Sequence, residues 1–207
     1  MTISFRPRWY FFIALISVTF IGPLSLHLFI PAMPAVKESF AVSTGMAQLT
    51  MSLAMLSMAF FTVAYGGLSD RFGRKCVLLG GLVLFTCGAA ACMVAADLPM
   101  LLAGRILQGA GAGCGVVLAR AIARDVYGQD RVAQVIAYLT AAYVLGPMFA
   151  PMIGGQLTAL FGWRALFVLA SAVGLVVILA VAFGVPETRA RNAAAPRGVF
   201  AGYKSLL

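Results

Sequence analysis

The stretch Gly66-Gly67-Leu68-Ser69-Asp70-Arg71-Phe72-Gly73-Arg74-Lys75 places a dense group of glycines and charges between two long apolar runs. Glycine permits a tight turn, and the Asp70 carboxylate can accept hydrogen bonds at a helix start or pair with Arg71 or Arg74. Between apolar runs, such a stretch predicts a short connection that joins two membrane-spanning helices. The alternative interpretation is a set of solvated charges that only fixes topology.

Apolar runs long enough to cross a bilayer lie on both sides of this stretch. A transmembrane helix needs about 20 apolar residues. The chain contains six such runs, at 9–30, 45–66, 76–96, 99–120, 132–157 and 164–185. Of its 207 residues, 62% are hydrophobic and only 10% are charged, which is far from the composition of a soluble domain. The sequence therefore predicts an all-α membrane protein with six transmembrane helices.

The runs divide the chain into one domain and a tail. Residues 1–188 are predicted to form a six-helix transmembrane domain, in which 9–96 and 99–185 suit the two inverted three-helix repeats of transporters. From residue 189 to residue 207 the chain is rich in Ala and Arg, and we expect the start of a cytoplasmic central linker there. A second six-helix half is expected to follow it.

The positions of the basic residues decide what the net charge of +9 means. Arg105 lies within the fourth run, and only Lys37 and Arg164 fall in connections on one side. The others lie on the second side or in the terminal segments: Arg6, Arg8, Arg71, Arg74, Lys75, Arg120, Arg124, Arg131, Arg189, Arg191, Arg197 and Lys204. By the positive-inside rule both termini are cytoplasmic. This pattern favours a lipid bilayer as the partner and argues against nucleic acid.

Several other classes of protein are disfavoured by the residues that carry chemistry. The four cysteines lie in or at the ends of apolar runs without metal-ligand spacing, so we expect neither a metal site nor a disulfide framework. The runs hold no paired carboxylates and no nucleophile with a base, so we expect no enzyme activity and no cofactor. The glycines of the fourth run do not form a G-x-G-x-x-G nucleotide site, and their spacing predicts close helix packing instead.

A buried charge is predicted in the fourth run, where Arg105 and Gln108 lie three residues apart and so face one side of a helix. A guanidinium at membrane depth needs a partner or water, and such a charge is by default a functional hypothesis. The alternative is an arginine that extends to the outer surface.

Small residues recur every four positions in the fifth run, at Gly146, Ala150 and Gly154, with Pro147 and Pro151 on the neighbouring stripe. This pattern predicts a smooth, kinked helix that packs closely against a neighbour.

His27 is the only histidine in the chain. Histidine is the side chain that ordinarily changes charge between about pH 5 and 8, so His27 is a candidate proton carrier. The alternative is a neutral imidazole that is hydrogen-bonded to the backbone.

Together these segments resemble the major facilitator superfamily, and within it the drug and proton antiporters of the bicyclomycin and chloramphenicol resistance branch. Residues 66–75 are similar to the signature G-x-L-[AS]-D-R-x-G-R-[RK] between its second and third helices. Residues 105–109 resemble the fourth-helix motif R-x-x-Q-G, whose arginine is implicated in proton coupling. Residues 146–155 resemble the fifth-helix antiporter motif G-x-x-x-G-P-x-x-G-G, which ends here at Gly154 and Gly155. Residues 30–34 resemble the L-P-x-x-P end of the first helix.

Two departures from the branch change what is expected. Ala150 stands where the fifth-helix motif has its second glycine, which keeps the residue small. His27 stands where many exporters of the branch have an aspartate. Histidine can take over the titration, but its protonated form is cationic and would repel Arg105 at close range.

The resemblance implies an exporter of small molecules in the bacterial inner membrane, driven by the proton gradient through alternating access. A substrate and proton cavity is expected at His27, Phe29, Met51, Met55, Arg105, Gln108, Tyr138 and Tyr143. Cytoplasmic gating is expected at Gly66, Asp70, Arg71, Gly73, Arg74 and Lys75, and the second half is supplied in cis or in trans. Two alternatives stay open, namely uptake of a metabolite and an inactive half that serves as a membrane interaction module.

Overall fold

Helices make up nearly all of the computed structural model, which describes residues 9–188 apart from the side chain of Asp130. The α-helices are Trp9–Phe29, Met33–Ser39, Thr44–Phe72, Arg74–Met93, Leu98–Phe161 and Arg164–Gly184, and a 3-10 turn occupies Ile30–Ala32. No strand occurs within the described range. The predicted linker from residue 189, and the basic residues at 6 and 8, lie outside it.

Six segments are long and apolar enough to cross a membrane, and they are numbered here as spans 1 to 6. In chain order the spans are Trp9–Ser39, Thr44–Phe72, Arg74–Met93, Leu98–Gln129, Arg131–Phe161 and Arg164–Gly184. Spans 4 and 5 form one run of helical residues that Gly128 interrupts, because its φ of 64° and ψ of −174° are not helical. The prediction of six apolar helices is confirmed.

Connections at the end of the bundle that carries Trp9 are shorter than the sequence predicted. The predicted turn at residues 66–75 is wrong in extent, because span 2 stays helical through Phe72 and only Gly73 separates it from span 3. The φ of Gly73, 99°, lies in the left-handed region that favours glycine. The predicted connection 120–131 is likewise helical up to Gly128. The charged residues of both segments are thus accommodated within helices, where Arg74 pairs with Asp70 and Asp125.

At the opposite end, side chains join the connections to one another. Asp97 begins span 4, where its Oδ1 accepts a hydrogen bond from the Met100 amide at 2.8 Å, and Pro99 lies in the first turn as predicted. The indole Nε1 of Trp163 donates to Ser39 Oγ at 3.0 Å. This bond ties the start of span 6 to the end of span 1.

Spans 1 and 4 form the centre of the bundle. Within their most apolar windows 67% of the residues are buried, against 17% in span 2 and 22% in span 5. Spans 2 and 5 therefore present broad apolar faces outward. The exposed side chains on these faces include Leu56, Phe60, Val63, Val144, Met148 and Met152.

A row of glycines lets span 4 touch three neighbouring helices. A Cβ atom at Gly109 would meet the backbone of Ala54 in span 2, and one at Gly115 would meet the backbone of Val18 in span 1. A Cβ atom at Gly111 would overlap the backbone of Phe85 in span 3. The close packing predicted from the glycine spacing is confirmed, and it makes span 4 the central element of the fold.

We expect Gly111→Ala to destabilise the bundle, because its methyl group has no room against the span 3 backbone. Overpacking of a filled core costs about 1–3 kcal/mol, so the thermal unfolding midpoint measured in detergent should fall by several degrees. Gly80→Ala is the matched control, since nothing lies within 4 Å of a Cβ atom there. Equal midpoints for the two variants would contradict the central packing assigned to span 4.

Candidate functional site

Arg105 lies inside the bundle, about two turns from the start of span 4. It is 1% exposed, so the alternative of an arginine that extends to the outer surface is not what the structure has. Its Nη1 donates to Gln108 Oε1 at 2.7 Å, and its Nε donates to the carbonyl oxygen of Thr50 at 3.3 Å. Two spans therefore hold the guanidinium by hydrogen bonds.

Aromatic rings cover the Arg105 guanidinium. Its Cζ lies 4.6 Å from the ring centroid of Phe29 in span 1 and 5.9 Å from that of Phe167 in span 6. Both rings are nearly fully buried, and they also contact each other. A cation over a desolvated ring is stabilised by about 2 kcal/mol, which offsets part of the cost of burying the charge. Phe29 thus contacts the charge from within the core and does not line an open surface.

No carboxylate pairs with Arg105 among the described residues, and the ion pairs of Asp70 and Asp125 are with Arg74. The remaining contact of the guanidinium joins Nη2 to the thioether Sδ of Met51 at 3.9 Å, and a thioether is a weak acceptor. An arginine has five N–H donors, so this group is incompletely satisfied. Arg105 is a buried cation without an anionic partner in the described part of the chain.

His27 lies on a different side of span 1 from this cluster. Its Nδ1 donates to the carbonyl oxygen of Pro23 at 2.8 Å, and the side chain is half-buried. His27 and Phe29 are two residues apart, which separates them by about 200° around a helix. Since Phe29 faces Arg105, His27 faces away from it. The structure therefore does not bring the two predicted coupling residues together.

The small residues of span 5 pack along the stripe of span 1 that carries His27. A Cβ atom at Gly146 would meet the side chain of Pro23, and one at Gly154 would meet the backbone of Leu28. Ala150 is fully buried between them. Because these residues are small, the backbone of span 5 lies close to span 1 beside His27.

The other residues of the span 5 motif lie at the margins of this contact. Pro147 is exposed, Pro151 is half-buried, and Gly155 lies beside Pro31. Helical dihedral angles continue through both prolines, and Gly128 is the residue in this run with non-helical φ and ψ.

Three further residues predicted for the cavity are dispersed along spans 2 and 5. Met55 is 51% exposed, Tyr138 is 52% exposed, and Tyr143 is half-buried. The Tyr138 ring packs edge-on against Phe12 with 5.8 Å between centroids, near the end of the bundle that carries Trp9. Met55 and Tyr138 are thus exposed, whereas Arg105, Gln108 and Phe29 are buried.

Contacts among Asp70, Arg74, Asp125 and Glu187 join four spans at the end of the bundle that carries Trp9. This group of four residues is called the basic end below. The Arg74 guanidinium lies 2.7 Å from the Asp70 carboxylate and 3.3 Å from that of Asp125 in span 4. Glu187, just after span 6, accepts hydrogen bonds from the backbone amides of Arg74 at 2.9 Å and Lys75 at 3.2 Å. Its carboxylate caps the start of span 3.

Further contacts reinforce this end. Lys75 Nζ donates to the carbonyl oxygen of Ala182 at 2.7 Å and so satisfies the last turn of span 6. The Arg71 guanidinium lies over the Phe72 ring, 5.9 Å from its centroid. A cleft of about 330 Å³ opens between spans 2 and 4, lined by Gly66, Asp70, Arg74, Val116, Val117, Arg120, Ala121 and Arg124.

A family model for the Major Facilitator Superfamily matches residues 15–207. The chain belongs to this superfamily. Its six spans form one half of the superfamily's fold, and their length and apolar composition are those of a multi-pass membrane protein.

The curated relatives include bacterial proteins named for drug resistance. The chain is 31% identical over 194 residues to the multidrug resistance protein D of Escherichia coli, which covers 93% of this chain and 48% of that protein. It is 30% identical over 190 residues to a bicyclomycin resistance protein homolog of Haemophilus influenzae, with 90% and 47% covered. The chain thus spans about half the length of the relatives that it matches.

Two solved transporter structures share the fold. The human organic anion transporter MFSD10 superposes with a TM-score of 0.70 at 20% identity, over 89% of this chain and 49% of that one. A peptide transporter POT in complex with sulfate superposes with a TM-score of 0.77 at 19% identity, over 94% and 42%. At these identities the likeness supports the fold alone.

Several residues of this major facilitator half were not predicted from sequence. Asp125 and Glu187 complete the basic end, yet they lie 51 and 113 residues from Arg74 along the chain. Thr50 and Phe167 complete the surroundings of Arg105. An available signal for Glu187 was its position directly after Pro186, where the sixth apolar run ends beside the same surface as residues 66–75.

We expect Glu187→Ala to loosen the start of span 3, because two backbone amides lose their carboxylate acceptor. Loss of a helix cap costs about 1 kcal/mol, which corresponds to roughly fivefold faster exchange of protected amides. Hydrogen–deuterium exchange of residues 74–80 in detergent measures this effect. Glu38→Ala, at the exposed end of span 1, is the control and should leave that segment unchanged. Unaltered exchange in both variants would remove Glu187 from the capping role.

Proposed function

We propose that this chain is half of a proton-coupled exporter of small molecules. It lies in the bacterial inner membrane with both termini cytoplasmic, and it works with a second six-helix half by alternating access. The observation that carries the proposal is the buried Arg105, held in place by Gln108 and Thr50 in the centre of the bundle. An ionised residue inside a membrane domain is costly and marks a functional site.

The need for a second half is supported by the outer faces of spans 2 and 5. These spans are the least buried of the six, and their exposed side chains are large and apolar. In a transporter built from repeats, substrate binds near the bilayer midplane where the repeats meet. Met51, Met55 and Tyr143 lie on these two spans and are the residues proposed for the wall of that site.

The basic end is proposed to keep this half rigid while the two halves move. Ion pairs and carboxylate caps connect spans 2, 3, 4 and 6 there. Rocking of one half against the other requires each half to move as a unit. The cleft beside Asp70 and Arg74 is the surface proposed for contact with the second half on the cytoplasmic side.

We propose that His27 and Arg105 have different roles in proton coupling. Arginine stays charged in proteins, so Arg105 supplies a fixed positive charge and cannot itself carry the proton. His27 is the proposed titrating group, beside the tightly packed span 5. If proton binding at His27 changes the affinity for substrate, linkage requires substrate to change proton affinity by the same factor.

The test is efflux driven by a pH gradient in everted membrane vesicles, with a drug panel that includes chloramphenicol. The vesicles contain this chain alone or joined to the second six-helix half of the Escherichia coli relative. We expect transport only with both halves, and a loss of at least about tenfold in Arg105→Gln, because one charged hydrogen-bonding group is worth about 1.5–3 kcal/mol. The control is Arg131→Gln, which removes an exposed charge.

Two outcomes would contradict the proposal. Accumulation of a metabolite in the opposite direction, with no efflux of any drug, would favour an uptake transporter. Correct membrane insertion without substrate-dependent proton flux in any preparation would favour an inactive half that serves as an interaction module.

We expect His27→Gln to uncouple transport from the pH gradient while substrate binding persists, because glutamine keeps a hydrogen-bond donor to the Pro23 carbonyl but does not titrate. The measurement compares proton release with drug efflux in the same vesicles. Gln48→Asn, at an exposed position of span 2, is the control for a small polar change. Unchanged proton release per drug molecule in His27→Gln would exclude His27 as the carrier.

A further inference from the structure

The charge at the centre of this half is unbalanced. All six acidic residues lie at or beyond the ends of spans: Glu38, Asp70, Asp97, Asp125, Asp130 and Glu187. Arg105 is 1% exposed and lies about two turns inside span 4. The interior of the bundle therefore carries one positive charge that no carboxylate of this sequence is placed to neutralise.

The guanidinium is also short of acceptors. Its three hydrogen-bond contacts are to Gln108 Oε1, the Thr50 carbonyl and the Met51 thioether. Two of the five N–H donors of an arginine are left without an acceptor among the described residues, and the contact to Met51 is a weak one. A buried cation with open donors gains most from an anionic acceptor.

Met51 covers Nη2, on which one of the two donors is open. It is half-buried on span 2, the least buried of the spans, and its Sδ lies 3.9 Å from Nη2. The rings of Phe29 and Phe167 cover the guanidinium from spans 1 and 6. Methionine is unbranched and flexible, so Met51 can turn aside at a lower cost than the two packed rings. A ligand would therefore reach Nη2 from the face that carries Met51.

We propose that Arg105 Nη2 is the binding point for a carboxylate-bearing, apolar small molecule that displaces the Met51 side chain. This inference rests on the proposed transport function and names the substrate class. The carboxylate accepts hydrogen bonds from Nη2 and neutralises the buried charge. The apolar body of the ligand lies against the outward face of span 2, beside Met55.

The test measures binding by a matched pair of ligands that differ in charge. Naphthalene-2-carboxylate and its neutral amide, naphthalene-2-carboxamide, are titrated calorimetrically into the full chain in detergent and into the two-half fusion. We expect the carboxylate to bind more tightly by about tenfold or more, since hydrogen bonds to charged groups contribute about 1.5–3 kcal/mol. Arg105→Gln should abolish the difference between the two ligands.

A variant at Met51 and a matched control keep the test informative if the arginine variant does not fold. Met51→Ala opens the path to Nη2, so the carboxylate should bind several-fold more tightly while the amide changes less. Leu179→Ala, on the exposed face of span 6, is the control and should bind both ligands like the unaltered chain. Equal gains for both ligands in Met51→Ala would mean that the position only widens an apolar surface, which would overturn the proposal.

Other outcomes separate this inference from the proposed exporter function. Equal affinity for acid and amide, or selectivity that survives Arg105→Gln, overturns the inference even if drugs are exported. The inference is also overturned if the chain alone prefers the carboxylate and the two-half fusion does not. In that case the second half supplies the anionic partner of Arg105. Selective, Arg105-dependent binding without proton-coupled efflux supports the inference and contradicts the exporter.

Discussion

The packing of the bundle depends on how it accommodates the charge of Arg105. Taking an ion out of water costs several kcal/mol even after the protein relaxes, and here four spans share the compensation. Phe29 comes from span 1, Thr50 from span 2, Gln108 from span 4 and Phe167 from span 6. A relative movement of any of these spans changes the surroundings of the charge, so its stabilisation is coupled to their arrangement.

The helices could be predicted from sequence because length and apolar composition are enough to define a membrane span. The connections could not. Residues 66–72 contain glycines and charges that are typical of a turn, yet span 2 stays helical through Phe72, and its Asp70 pairs with Arg74 at the start of span 3. Only Gly73, with its positive φ, behaves as the pattern indicated. Local sequence indicates a preference for a turn, whereas the contacts of Arg74 and Lys75 with Asp125 and Glu187 join residues far apart along the chain and could not be predicted from it.

Part of the candidate site could be predicted from sequence, because it depends on spacing within one helix. The rest depends on how the helices pack against one another. Arg105 and Gln108 share a helix face, so their three-residue spacing was sufficient to pair them. The position of His27 relative to Arg105 depends on how span 1 is rotated, which the sequence pattern does not define. The structure turns Phe29 toward Arg105 and His27 toward the side where Pro23 meets Gly146. Electrostatic repulsion between the two residues, a concern from sequence, is reduced by this rotation.

The two kinds of charge in this half serve different purposes. Asp70, Asp125 and Glu187 all contact Arg74 or its backbone, and Asp97 caps span 4, so these carboxylates stabilise the ends of helices. Such contacts lie near water, where an ion pair is cheap to form and contributes modestly. Arg105 lies where an ion pair would be strongest, and the chain places no acid there. Stability alone would favour an apolar residue at this position, so the buried cation at Arg105 is consistent with the proposal that an anionic acceptor comes from outside this half.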